Sequence, residues 1–125
     1  MGDLYEEYDN SLTIFQLGRL GEEAAAAAII LRGYVIMGTQ VRVRTPIGLR
    51  IIDYIAIGPD GPHAFEVKVN NSPYSDLQSR KDNLIYGGAG VSAGYLNPNF
   101  PYGSRIPAMP TTVERVQCRM SPVIC

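Results

Sequence analysis

Three charges stand where the hydrophobic pattern of this chain calls for core: Asp53 in the apolar run "LRIIDYIAI", and Glu66 and Lys68 in "HAFEVKV". Strand alternation puts Glu66 and Lys68 on one face, and Phe65, Val67 and Val69 on the other. Asp53 keeps step with Ile51, Ile55 and Ile57, so its carboxylate points into an apolar surface, where it is costly unless compensated. Two carboxylates on adjacent strands repel and raise each other's pKa unless a divalent cation sits between them. That donor set suits Mg²⁺ or Mn²⁺, hard cations that take oxygen ligands, keep several waters and accept substrate phosphates as further ligands. Lys68, beside Glu66, is then placed to orient or activate water, or to offset charge building up on an attacked phosphate. The alternative is an ordinary cross-strand ion pair between Asp53 and Lys68, with Glu66 at a solvated edge.

The elements that must position these residues are legible around them. "SLTIFQLGRLGEEAAAAAIILRG" predicts a helix of about 18 to 20 residues with Gly33 as its C-terminal cap. Residues 24–31 are apolar all round, so that half is expected to be covered on more than one side. "YVIMG", "TQVRVRT" and "LRIIDYIAI" predict strands, the second alternating Val41 and Val43 against Arg42 and Arg44. "GPDGP" is a turn and "HAFEVKV" the next strand, so residues 49–69 form a hairpin. A second helix is opened by Ser75 with Gln78 three residues on, presents Leu77, Leu84 and Ile85, and closes at Gly87 and Gly88. Residues 87–110 hold five Gly and four Pro, which predicts mostly loop with one short strand near 89–96. "TTVERVQCRM" is a last strand, with Val116, Cys118 and Met120 on one face.

A chain of 125 residues accommodates one compact domain, residues 1–125, and has no apolar run of the ~20 residues that a membrane span needs. The net charge of −1 removes the broad basic field of many nucleic-acid binders. The charges are nonetheless uneven: Asp3, Glu6, Glu7 and Asp9 load the start, whereas Arg42, Arg44, Arg50, Lys68, Arg80 and Lys81 lie between 42 and 81. Cys118 and Cys125 lack the spacing of a zinc site; two free thiols are the expectation and a disulfide between them the alternative. His63, beside the turn, is taken as an exposed strand-start residue, and the eight tyrosines as too dispersed to make a stacking platform.

The arrangement D-x12-E-x-K in "DYIAIGPDGPHAFEVK" resembles the active-site core of the PD-(D/E)xK, restriction-endonuclease-like nucleases, although Ile52 stands where the family name writes Pro. "GRLGEEAAAAAIILRGYVI" is similar to the opening helix of the Holliday-junction-resolvase-like branch and brings Glu22 to a family metal position. "FEVKVNNSPYSDLQSRKDNLI" further looks like the nuclease domains of bacterial contact-dependent growth inhibition and other polymorphic toxins. In those domains a Gln or Lys on the helix after the E-x-K strand approaches the site, here Gln78 or Lys81; Gln78 also fits a helix-capping role.

The resemblance implies an α/β, restriction-endonuclease-like fold with a central mixed sheet of about four or five strands flanked by helices. It implies metal-dependent phosphodiester hydrolysis, with Asp53, Glu66 and Glu22 on Mg²⁺ (or Mn²⁺), Lys68 acting on water, and Gln78 assisting. DNA is the first substrate and RNA, tRNA included, the second, met by Arg42, Arg44, Arg50, Arg80 and Lys81. For a secreted toxin domain the resemblance implies action in the cytoplasm of a target cell and a cognate immunity protein that covers the cleft. The alternatives are a housekeeping resolvase or repair nuclease working in the cytoplasm, or a non-catalytic nucleic-acid-binding module of the same fold.

Overall fold

The computed structural model describes residues 2–125, with side chains from residue 14 onward, so the acidic Asp3, Glu6, Glu7 and Asp9 lie outside the described side chains. The elements are α1 (Gly2–Leu31), β1 (Val35–Thr45), β2 (Gly48–Gly58), β3 (Gly61–Val69), α2 (Asp76–Tyr86), β4 (Val91–Ser92), β5 (Thr111–Val116), β6 (Arg119–Met120) and β7 (Val123–Ile124). Five strands form one sheet in the order β4-β1-β2-β3-β5. All its neighbours are antiparallel except β3 and β5, which run parallel, so this is a mixed α/β sheet. Among the described residues no helix is long and apolar enough to cross a membrane.

Each face of the sheet has its own core. On one, Ala25 and Ile29 of α1 pack on Tyr54, Ala56 and Phe65. On the other, Val41, Val43, Ile52, Ile55 and Ala64 meet Ile85 of α2 and Phe100, Ile106 and Met109 from the loop after it. Gly21, Ala25 and Ile29, spaced by four, form the buried stripe of α1. At Gly21 a Cβ would overlap the Val69 side chain, so this glycine lets the helix close onto β3 and brings the neighbouring Glu22 to the sheet. The expected wrapping of residues 24–31 is not found: Leu31 is 87% exposed and Ile30 is exposed too. A single sheet face covers a single stripe of the helix, and alanines need little more.

α1 is longer than its pattern predicts, 30 residues ending before Gly33, whose φ of +94° is the left-handed cap expected there. The two predicted strands at 34–45 are one strand, β1, with a bulge between Ile36 and Gly38. In α2, Ser75 and Gln78 make the reciprocal capping box, but Leu77 is exposed and Asp82 joins Ile85 as a buried residue. The predicted short strand near 89–96 is β4.

The C-terminus departs from expectation. The last sheet strand ends at Val116, and Cys118 is disulfide-bonded to Cys125, with Cα atoms 4.1 Å apart, across the small β6–β7 hairpin. The free-thiol expectation is corrected: a hairpin returns the chain and brings together two cysteines separated by seven positions. His63 is corrected as well. It is half-buried, stacked on Phe65 at 4.9 Å between ring centroids, edge-on to Tyr34, and bonded to Thr112 Oγ1 at 2.6 Å, away from the cleft described next.

Candidate active site

β2 and β3 pair from the Gly58–Gly61 turn only as far as Tyr54 opposite Phe65, so Asp53 and Glu66 stand where the two strands part. Parting leaves the Val67 N–H without a ladder partner, and it donates to Asp53 Oδ2 at 2.7 Å. Opposite, Gln40 of β1 has φ +48°, a left-handed conformation rare for a residue with a side chain. Its amide reaches two carboxylates, donating from Nε2 to Asp53 Oδ1 at 3.2 Å and to Glu22 Oε1 at 3.3 Å. Glu22 is fixed to the sheet from behind, where Tyr54 OH donates to its backbone carbonyl at 2.9 Å.

Glu66 is 5% exposed and is held by two hydrogen bonds and an ion pair. Gln78 Nε2 at 3.2 Å and Lys68 Nζ at 3.1 Å share Oε1, and Arg50 Nη2 takes Oε2 at 2.9 Å. Lys68 thus pairs with its strand neighbour Glu66, and the alternative cross-strand pair with Asp53 is not the one formed. Arg50 is buried as well and also grips Asp82 of α2, Nε to Oδ1 at 2.8 Å and Nη2 to Oδ2 at 3.1 Å, while Tyr74 OH donates to the same Oδ2. This chain of ionic bonds ties β2, β3 and α2 together behind the carboxylates.

The electrostatics follow from burial and crowding. Burial pushes the Asp53 carboxyl up to about 6, partly offset by the Val67 N–H and reinforced by Glu66. Glu22 is raised in the same way, by burial first, against the Gln40 bond and with Glu66 adding. For Arg50, burial opposes the charge, but Asp82 and Glu66 more than offset it and its pKa is raised. Tyr74 is raised by burial and by its bond to Asp82.

A cleft of about 430 Å³ opens over Asp53 and Glu66, lined also by Gln40, Ile51, Gln78 and Lys81. Glu22 and Lys68 look into a second hollow of about 290 Å³ lined also by Leu17 and Gly18 of α1. Among the described residues no three His, Cys, Asp or Glu side chains stand together as a ready cage. Two converging carboxylates with a third one amide away are still the oxygen donors that magnesium takes beside water, and in that sense the residues fit.

Glu22, Asp53, Glu66, Lys68 and Gln78 are thus brought together from α1, β2, β3 and α2. The basic residues divide. Arg42 and Arg44 are exposed on β1; Lys81 reaches the cleft rim, where Nζ donates to Leu49 O at 2.8 Å; Arg80 lines a separate hollow with Ile47, Asn83 and Leu84. Arg50 is a correction, since at 6% exposure its guanidinium lies inside the ionic chain and not on a nucleic-acid-facing surface. A signal for this existed: Arg50 alternates with Ile52 on the inward face of β2. Gln40 and Asp82 carried no such signal, for neither departs from the polar pattern of its element. Compared with known protein families, curated proteins and solved structures, the chain finds no match.

Proposed function

We propose that this chain is a metal-dependent nuclease of the restriction-endonuclease-like kind. The observation that carries the reading is the pair Asp53 and Glu66 at the point where β2 leaves β3, with Lys68 on Glu66 and an open cleft in front. A raised Asp53 beside a buried Glu66 is electrostatic tension that a divalent cation relieves. Asp53 and Glu66, with Glu22 at the margin, would hold the cation, Mg²⁺ or Mn²⁺, which supplies charge stabilisation at the scissile phosphate. Lys68, held by Glu66, orients water and offsets charge on the phosphate; Gln78 positions Glu66 through its 3.2 Å bond. Arg50 aims Glu66 through its 2.9 Å bond to Oε2. DNA stands first as substrate and RNA second. The biological setting we favour is an antibacterial toxin domain held in check by an immunity protein.

The test is incubation of the chain with plasmid DNA and with total RNA in Mg²⁺ or Mn²⁺. Cleavage that EDTA stops, and that Glu66→Ala and Lys68→Ala abolish, supports the reading. A second reading, a non-catalytic nucleic-acid-binding module, is favoured by one observation: both Glu66 oxygens are already taken, by hydrogen bonds from Arg50 and Gln78 and by the Lys68 ion pair. It predicts binding without cleavage. For the setting, induced expression in a bacterium without an inhibitor should arrest growth for wild type and not for Glu66→Ala; harmless wild type removes the toxin and keeps the nuclease.

A further inference from the structure

The loop joining β4 to β5 carries an exposed aromatic pair that the site above does not use. Tyr95 and Tyr102 stack with ring centroids 4.7 Å apart and planes 3° from parallel. Stacking does not bury them: Tyr95 is 81% and Tyr102 50% exposed, so the outer face of Tyr95 is open to solvent.

The loop that carries the pair is tied to β1 at several points. Ala93 N donates to Arg42 O at 2.8 Å, Asn97 brackets the Thr39 N–H and carbonyl at 3.3 and 3.0 Å, and Asn99 donates to Met37 O at 2.8 Å. Gly94 lies along the Arg42 stem, where a Cβ would come within 3.4 to 3.6 Å of its carbons. Arg42 is the register partner of Ile51, a cleft-lining residue, and Thr39 adjoins Gln40, which bonds Asp53. The loop that carries the tyrosines is thus anchored on β1, the strand that pairs with β2 and carries Gln40. Among the described residues neither Arg42 nor Arg44 has an acidic partner within salt-bridge distance.

Open aromatic faces beside unpaired guanidiniums suit bases and phosphates respectively. In a duplex the base faces are already stacked on one another, so only an unpaired nucleotide can use such a platform. We propose that Tyr95, Tyr102 and Arg42 form a base-stacking and phosphate-holding shoulder that seats an unpaired nucleotide next to the cleft, making single-stranded or locally opened nucleic acid the preferred ligand. The inference rests on the nuclease reading for the neighbouring cleft, and it adds the strandedness of the substrate.

The test uses the full chain in EDTA, with fluorescence anisotropy on a labelled dT12, an rU12 and a 12-bp duplex. Tyr95→Ala and Tyr102→Ala should each weaken single-strand binding roughly tenfold, with Tyr95→Phe and Tyr102→Phe near wild type. Arg42→Ala should lower the salt slope by about 0.7, the share of one single-strand phosphate. Tyr86→Ala, an exposed tyrosine on α2, should change nothing. Equal binding by the alanine variants, equal losses on duplex and single strand, or no binding by wild type would each overturn the proposal. A concentration-dependent dimer abolished by Tyr95→Ala would overturn it too, assigning the face to a second copy. If the alanine variants bind like wild type while Mg²⁺-dependent cleavage persists, only this inference falls; if wild type neither binds nor cleaves, the nuclease reading falls with it.

Discussion

Replacing Asp53 by Asn should make the metal-free protein more stable at neutral pH, because the wild-type carboxylate is ionised there against its surroundings. Its pKa is pushed from 3.8 to about 6, by burial first, with the Val67 N–H pulling back and Glu66 adding. The folded chain therefore holds this proton more tightly than the unfolded one, and ionisation disfavours folding. The penalty is absent below about pH 4, grows between about 4 and 6, and is complete above that. At about 1.4 kcal/mol per unit the interval has an upper limit near 3 kcal/mol, and solvent reaching this partly exposed carboxyl reduces it to about 1–2 kcal/mol. Urea unfolding in EDTA at pH 4, 5, 6 and 7 measures it, provided both chains give the same slope against urea. The difference between wild type and Asp53→Asn is the quantity to follow. It cancels groups such as His63, whose pKa is lowered by burial and by Arg32 and whose effect runs the other way, favouring the fold as pH rises. The variant should gain on wild type by about 1–2 kcal/mol between pH 4 and 7. Mn²⁺ at a hundred times its dissociation constant should then add about 2.7 kcal/mol to wild type and little to the variant. A variant less stable than wild type at pH 7, by an amount independent of pH, would refute the reasoning, for Asp53 would then be a structural carboxylate held comfortably by Val67 and Gln40.

Gln40→Ala should tighten Mn²⁺ binding about tenfold by calorimetry, because the amide occupies the carboxylate oxygens that a cation would take. Gln40→Gly should match it and also relax the left-handed backbone, whereas weaker binding in both would make Gln40 a support of the site. Arg50→Ala should cost about 3–5 kcal/mol in urea unfolding by leaving Asp82 buried without a cation and Glu66 with Lys68 alone; a cost under 1 kcal/mol would show that the ionic chain is not structural. Glu22→Gln should reduce EDTA-sensitive cleavage far more than Glu23→Gln, since Glu22 is partly buried and bonded to Gln40 while Glu23 is exposed; the reverse order would mean that the helix face is misassigned.

Much of the scaffold was legible from local signals. Alternation in "VRVR" set Val41 and Val43 inward and Arg42 and Arg44 outward, "GPDGP" set the hairpin, and Ser75 with Gln78 set the start of α2, because period and capping are short-range effects. The charges Asp53, Glu66 and Lys68 stood out for the same reason, as breaks in an apolar strand pattern. Which charge pairs with which was not local. Lys68 pairs with Glu66, Arg50 turns inward to join β2 to α2, and Gln40 bridges Glu22 to Asp53, because each choice depends on where five separate elements converge. The same holds for Cys118 with Cys125 and for Tyr95 with Tyr102, pairs seven positions apart that a hairpin and a loop pinned to β1 bring face to face. Sequence periodicity determines which side of an element a residue occupies. Only the folded chain decides what stands opposite it, since those partners, from two to more than thirty residues apart, meet through contacts that no local pattern encodes.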